Sequence, residues 1–185
     1  LLLGSLYMHF IIEHNRGHHK RAATLEDPAT ARKGEILYIF LCRSIFYSYV
    51  SAWKLEYKRL KERKKKIFSL ENEMIQFEII QTLFCGFLLY FFGLTILLYF
   101  LSVSLMGIIL LESINYVEHY GLLRKKDENG KYEKITHMHA WNANVTLGRI
   151  MLFELSRHSD HHLVASKKYQ TLESYDGSPE LPSGY

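Results

Sequence analysis

Apolar stretches and short, histidine-bearing polar segments alternate along this chain, and that alternation predicts its elements. Residues 1–12, LLLGSLYMHFII, run without a break into EHNRGHHK at 13–20. Read as one helix, the segment has an apolar half inside a membrane and a histidine half emerging at its surface. LEDPATARKGE, residues 25–35, carries Pro28, Gly34 and mixed charge, and reads as a loop. From about Ile36 to Lys66, Ile36, Ile39, Phe40, Arg43, Phe46, Tyr47, Val50, Trp53 and Tyr57 recur at three- and four-residue steps, the period of a helix.

The run from Ile79 to Leu111, 33 residues long, contains no Asp, Glu, Lys, Arg or His. A single helix of that length would measure about 50 Å, too long for a hydrocarbon core of about 30 Å without severe tilt. Gly93, near its middle, predicts a tight hairpin between helices over about 70–91 and 94–119. RKKDENGKYEK (124–134) predicts a turn around Asn129-Gly130. HMHAWNANVTLGRIMLF leads into a helix bearing ELSRHSDHH at 154–162, and the tail from Tyr169 to Tyr185, with Pro179 and Pro182, reads as irregular. The expected architecture is all-α: a polytopic membrane helical bundle, residues 1–185 forming a single domain with a transmembrane hairpin at about 70–119.

The average composition conceals this segregation, since mean hydropathy is only −0.08. The formal charge of +4 is equally uneven, with eight Lys or Arg against two Glu between Lys54 and Lys66. Such a block reads as a membrane-surface helix, a nucleic-acid patch or a solvated face. The neighbouring apolar run favours the first, and the positive-inside rule then places the block, and the ends of the hairpin that return to it, on the cytoplasmic side. No nucleic-acid partner is expected. Cys42 and Cys85 fit no metal or redox spacing and read as ordinary buried thiols. The apolar opening lacks a basic region and a cleavage site, so it is not read as a signal peptide but as the end of a longer hydrophobic segment.

Nine of the ten histidines fall in four short stretches. EHNRGHH holds His14, His18 and His19, NYVEHYG holds His119, HMH holds His137 and His139, and RHSDHH holds His158, His161 and His162. Positions i, i+3 and i+4 share one face of a helix, so His158, His161 and His162 can meet one point, as can His14 and His18. Imidazole is a ligand for iron, zinc, copper and nickel. Seven candidate nitrogens exceed what one tetrahedral zinc takes, which points to two metal ions; the all-nitrogen set without thiolates suits iron. Glu13, Glu118 and Asp160 adjoin candidate ligands and are expected to accept the far N–H of an imidazole. His139 and Asn142 are further candidates around the site. His9, alone in an apolar stretch, reads as a core residue, and His137 as no ligand.

These segments resemble a known family, the integral-membrane, non-haem diiron alkane 1-monooxygenases (alkane omega-hydroxylases). EHNRGHH, EDPATARKGE, NYVEHYGLLR, WNAN, LSRHSDHH and the tail YQTLESYDGSPELPSGY carry the resemblance over essentially the whole chain. It implies a fatty-acid desaturase/hydroxylase-like fold and two Fe ions held by His14, His18, His19, His119, His158, His161 and His162. It further implies terminal hydroxylation of medium- or long-chain alkanes to primary alcohols, with O2 as co-substrate and a rubredoxin-type electron donor. The basic block at 54–66 would attract an acidic electron-transfer protein. The family's earlier HExxH box and first transmembrane helices lie outside this sequence, so the chain is expected to be a C-terminal portion, inactive by itself. Another membrane histidine-box oxygenase, such as a xylene-type monooxygenase, a fatty-acyl desaturase and a catalytically silent metal-binding homologue are the alternatives.

Overall fold

The computed structural model describes residues 2–182, and among these the regular structure is helical. The chain begins with α1 (Phe10–Ile12), a π-helical turn over Glu13–His18 and α2 (His19–Arg21). Two long helices follow, α3 (Leu37–Glu62) and α4 (Glu73–Glu118). The rest of the described chain is irregular except for α5 (Thr146–Met151), α6 (His158–Leu163) and two single 3₁₀ turns at His137–His139 and Tyr169–Thr171. Extended pairing among the described residues is limited to isolated bridges, Lys126 with Tyr132 and Asn142 with Glu180.

The chain divides into two compact units. The first comprises the residues up to Gly17 and Ile45–Leu111; the second comprises His18–Ser44 and the residues from Glu112 onward. α3 and α4 each contribute to both.

In the first unit Ile12, Ala52 and Met74 form a small buried cluster flanked by Trp53, Leu55 and Phe77. Beside it the Glu56 carboxylate, fully buried, accepts from Arg16, from Arg59 and from the backbone N–H of Glu73. Arg16 also forks onto Glu73 at 2.7 and 2.8 Å. A residue of the EHNRGHH turn is thus tied to both long helices by charge-assisted bonds, the stronger class of hydrogen bond.

α4 is the one described helix long and apolar enough to cross a membrane, and only 6% of its most apolar window is buried within the chain. A core helix of a water-soluble protein would be covered. It is also not straight: Gly93 takes φ 78°, ψ 173°, a backbone region essentially restricted to glycine. The chain reverses there, which brings the ring of Phe84 against that of Phe100 at 5.3 Å. The two arms run roughly 20 and 25 residues, about 30 and 38 Å at 1.5 Å per residue.

Burial along α3 inverts the pattern of a soluble protein. Its covered stripe is Phe40, Ser44, Ser48, Ala52, Glu56 and Leu60, steps of four made mostly of small or polar residues. Several apolar positions that mark its period, Ile39, Phe46, Tyr47 and Tyr57, face outward instead. Small and polar residues inside with large apolar residues outside is the arrangement of helices that pack in lipid. The same inversion corrects the reading of the cysteines. Cys42 is exposed on the outer side of α3 and Cys85 half-buried on α4, both free thiols.

The Asn129-Gly130 turn forms, with Asp127 Oδ1 accepting from the N–H of Asn129 and Lys131 and Gly130 at φ 75°. It closes a single bridge instead of a hairpin ladder. Beyond the 3₁₀ turn at Tyr169–Thr171 the tail is irregular as far as it is described; residues 183–185 lie outside the described chain.

Gly93→Ala tests the reversal. A Cβ at this position would meet nothing within 4 Å, so the cost is purely that of the backbone conformation. It should lower stability by about 1–3 kcal/mol, read as the thermal unfolding midpoint in detergent.

Candidate metal centre

Four fully or nearly fully buried imidazoles converge in the second unit: His18, His119, His158 and His162, each no more than 4% exposed. Their Nε2 atoms point at one another. His18 to His162 is 3.1 Å, His158 to His119 3.0 Å, His162 to His119 3.2 Å and His162 to His158 2.9 Å. His162 Nε2 faces three other Nε2 atoms at once, and neutral imidazoles cannot turn all three contacts into hydrogen bonds, because each Nε2 is either one donor or one acceptor. The point equidistant from nitrogens about 3 Å apart lies about 2 Å from each, the length of a metal–imidazole bond. The residues present therefore fit a metal ion.

The backbone reaches this arrangement by three local devices. α4 ends at its last turn just before His119, where Gly121 at φ 73° turns the chain and donates to the carbonyl of Ala31. The π-helical turn Glu13–His18 carries His18 at its end; such turns are rare and cluster at functional sites. α6 spans His158–Leu163, so His158 and His162 lie one turn apart on the same face.

Carboxylates hold the outer nitrogens of two rings. Asp27 Oδ2 takes the N–H of His18 Nδ1 at 2.9 Å and is steadied by Thr30 Oγ1 at 2.6 Å. Glu118 Oε2 lies 3.3 Å from His158 Nδ1. The Asp27 bond fixes the His18 tautomer that leaves Nε2 bare toward the centre. Burial alone would raise the Asp27 pKa, but the facing His18, through its charge and hydrogen bond, and Thr30 hold it below the ordinary carboxylate value.

Asn142 supports α6. Its Oδ1 accepts from the backbone N–H of Ser159 at 2.9 Å and its Nδ2 donates to Ser159 Oγ at 2.8 Å. The same segment reaches the end of α4, where Trp141 N–H donates to Glu118 O at 2.8 Å and its indole N–H to Tyr120 O at 2.9 Å. WNAN thus ties the His119 segment to the His158 segment.

Among the other expected site residues, His19 and His161 are half-buried with rings 4.7 Å apart, and His19 also meets His162 at 5.0 Å. His14 and Glu13 sit on the π-helical turn, in the first unit, with Glu13 buried. Asp160 does not serve an imidazole. Its buried carboxylate accepts from Lys167 at 2.7 Å, Glu173 N–H at 2.7 Å and Tyr175 OH at 3.0 Å, so it anchors the tail. The physical reason is its place on α6: adjacent to His161 in sequence, it points about 100° away from it. His139 caps its own 3₁₀ turn through Thr136 and lies 3.3 Å from Glu133, while His137 stacks on Tyr175. His9 is packed between the edges of Tyr7 and Tyr49.

Asp27 was not anticipated. Asp-Pro followed by a threonine three residues after the aspartate signals a turn closed by side chains, and nothing in that pattern says that the carboxylate also faces a histidine. Arg43 was likewise hidden: it clamps the loop that carries Asp27, reaching Glu35 at 2.7 and 2.8 Å and the carbonyls of Pro28 and Thr30 at 3.0 Å.

Burial, reinforced by neighbouring imidazoles, lowers the pKa of His119 and His162 well below 6.5, and that of His19 and His161 to about 4. The rings stay neutral near pH 7, the state in which they ligate metals.

The match with known proteins extends over nearly the whole chain. The family model described as fatty acid desaturase matches residues 1–177. An alkane 1-monooxygenase 1 of Pseudomonas aeruginosa is 44% identical over all of this chain and 48% of its own length. An alkane 1-monooxygenase of Ectopseudomonas oleovorans is 45% identical over 97% of this chain and 45% of its own. The hydroxylase component of a Pseudomonas putida xylene/toluene monooxygenase is 27% identical over 93% of this chain and 45% of its own. The chain spans about half the length of the curated relatives it matches.

Two outcomes are expected. Asp27→Ala should weaken metal binding by about 10- to 100-fold, measured by competition with a chelator. In metal-free protein, His19 and His161 titrate near 6.5 unfolded and about 4 folded, so the unfolded chain takes up protons first as pH falls. Thermal stability should be level above pH 6.5 and decline between 6.5 and about 4; a midpoint that rises over that window would contradict the burial of these rings.

Proposed function

This chain belongs to the fatty acid desaturase family, and on that premise we propose that it carries most of the metal centre of a membrane alkane 1-monooxygenase. The reaction converts a medium- or long-chain alkane, O2, two electrons and two protons into a primary alcohol and water. The observation that carries the reading is the meeting of four buried Nε2 atoms, each about 3 Å from at least one other. The similarity to alkane 1-monooxygenases at about 45% identity supplies the substrate class.

Seven histidines would hold two iron ions. His18, His119, His158 and His162 form one set; His19 and His161 belong to the other, with His14 assigned to it by the HxxxHH spacing of EHNRGHH. Iron bound there would supply the O2 activation and redox chemistry, with electrons from a rubredoxin-type donor. The protein's own residues do the rest. Asp27 holds the outer ring proton of His18, so this ring keeps one tautomer, and the Glu118 carboxylate stands 3.3 Å from the outer nitrogen of His158. Burial keeps water from the four ring nitrogens. Imidazole ligands withstand a strong oxidant better than thiolates would, and an apolar surround suits a substrate without polar handles.

The chain acts as one multi-pass membrane domain, in which the two arms of α4 cross the bilayer and the histidine segments face the cytoplasm. The outward apolar faces of α3 and α4 support the lipid setting, and the basic block between them supports the cytoplasmic side through the positive-inside rule. A second reading is favoured by the likeness to the xylene/toluene enzyme: hydroxylation of a methyl group on an aromatic ring.

The test uses the full-length protein in membranes or detergent. His161→Ala and His162→Ala should each lose bound iron and alcohol formation together, scored by metal analysis and product chromatography with alkane and with xylene supplied separately. Full activity in either variant overturns the assignment. Turnover of xylene but not of alkane selects the second reading.

A further inference from the structure

The loop between α3 and α4 has an architecture that the metal centre does not explain. α3 closes with a left-handed residue, Lys64 at φ 54°, while Lys65 N–H donates back to Leu60 O at 2.9 Å. That geometry ordinarily favours glycine and ends a helix abruptly. It throws Lys64, Lys65 and Lys66 into the open, beside exposed Lys54, Lys58, Lys61 and Arg63. The exposed acids in this stretch are Glu62 and Glu71, and Glu71 is engaged by Lys65 at 2.8 Å.

Directly after the lysines stand Phe68, 88% exposed, and Leu70, 71% exposed. Their exposure is built, not the result of a loose segment. Asn72 caps α4, its Oδ1 accepting from Met74 N–H at 2.9 Å and Ile75 N–H at 3.3 Å, and its Nδ2 closes the loop on Ile67 O at 2.9 Å. Arg59 holds Glu71 O at 2.7 Å. Bonds at Ile67, Glu71 and Asn72 therefore bracket both apolar side chains and hold them outward. The apolar helix α4 begins at Glu73, immediately beyond.

We propose that residues 61–70 form an anchor for anionic phospholipid, in which the lysines bind the headgroups and Phe68 and Leu70 enter the interfacial layer beneath them. Clustered Lys and Arg next to a membrane helix are drawn to anionic headgroups, and apolar side chains add burial at the headgroup boundary. An acidic electron-transfer protein would use the same charges, but it gives no reason for two apolar side chains held out beside the start of a membrane helix. The inference rests on the reading that α4 crosses the bilayer.

The experiment uses full-length protein in nanodiscs of phosphatidylcholine alone or mixed with phosphatidylglycerol, in a Cys42→Ser, Cys85→Ser background. An environment-sensitive fluorophore is placed at Ser69→Cys, or at Ser102→Cys as a reporter on α4, and quenched by brominated lipid. At position 69 quenching should deepen when phosphatidylglycerol is present, and added salt should reverse the gain. Lys64→Glu, Lys65→Glu and Lys66→Glu together should abolish the phosphatidylglycerol dependence with bound iron unchanged, and Phe68→Ser should reduce quenching in both lipids. Equal quenching at 69 in the two compositions, or a response only when an acidic electron-transfer protein is added, overturns the anchor. If quenching persists at 102 in that case, the membrane reading stands without the anchor; if it is absent at both positions, the membrane reading fails as well.

Discussion

The structure depends most on a crowding of lone pairs. Four imidazole nitrogens within 4.8 Å of one another, three of them about 3 Å from the fourth, the Nε2 of His162, cannot all be satisfied by hydrogen bonds between neutral rings, and they repel when protonated. Only a cation at their centre turns that arrangement from a cost into a source of stability, and metal binding then contributes directly to folding. The second unit, built largely of irregular chain, is organised to keep these rings in place.

Its means are mostly backbone bonds and buried polar side chains. WNAN joins the end of α4 to α6, Asp27 orients His18, and Asp160 draws Lys167, Glu173 and Tyr175 over α6. This explains why so many buried residues here are polar: these pairings fix the segments that carry a ligand or its support. Such networks are costly when incomplete and rigid when complete.

The first unit follows the opposite logic. Its cohesion comes from a small cluster and the Arg16–Glu56–Glu73 link, while its large apolar side chains face outward. For a chain in water this would be unstable; for helices in lipid, with no hydrophobic drive to bring them together, small and polar contacts are what remains to hold them.

The sequence by itself determined a good deal, because helix period, glycine placement and histidine spacing are local. The apolar run, its break at Gly93, the turn at Gly130 and the histidine triplet on α6 all follow from residues within a few positions of one another. The family could be read the same way, from short segments. What the sequence did not reveal depended on contacts distant in the chain. His18 and His162 are separated by 144 positions, so no local pattern could divide the histidines into a buried set of four and an outer pair. The same limit hid Asp27, whose turn signal is silent about its partner, and misdirected Asp160, whose neighbour in sequence is not its neighbour in space. Nor could period alone say which face of α3 is covered, since apolar residues mark an interior in water and an exterior in lipid. Tertiary structure decided these points because a side chain's direction is fixed by every segment packed around it, and sequence spacing reports only its own.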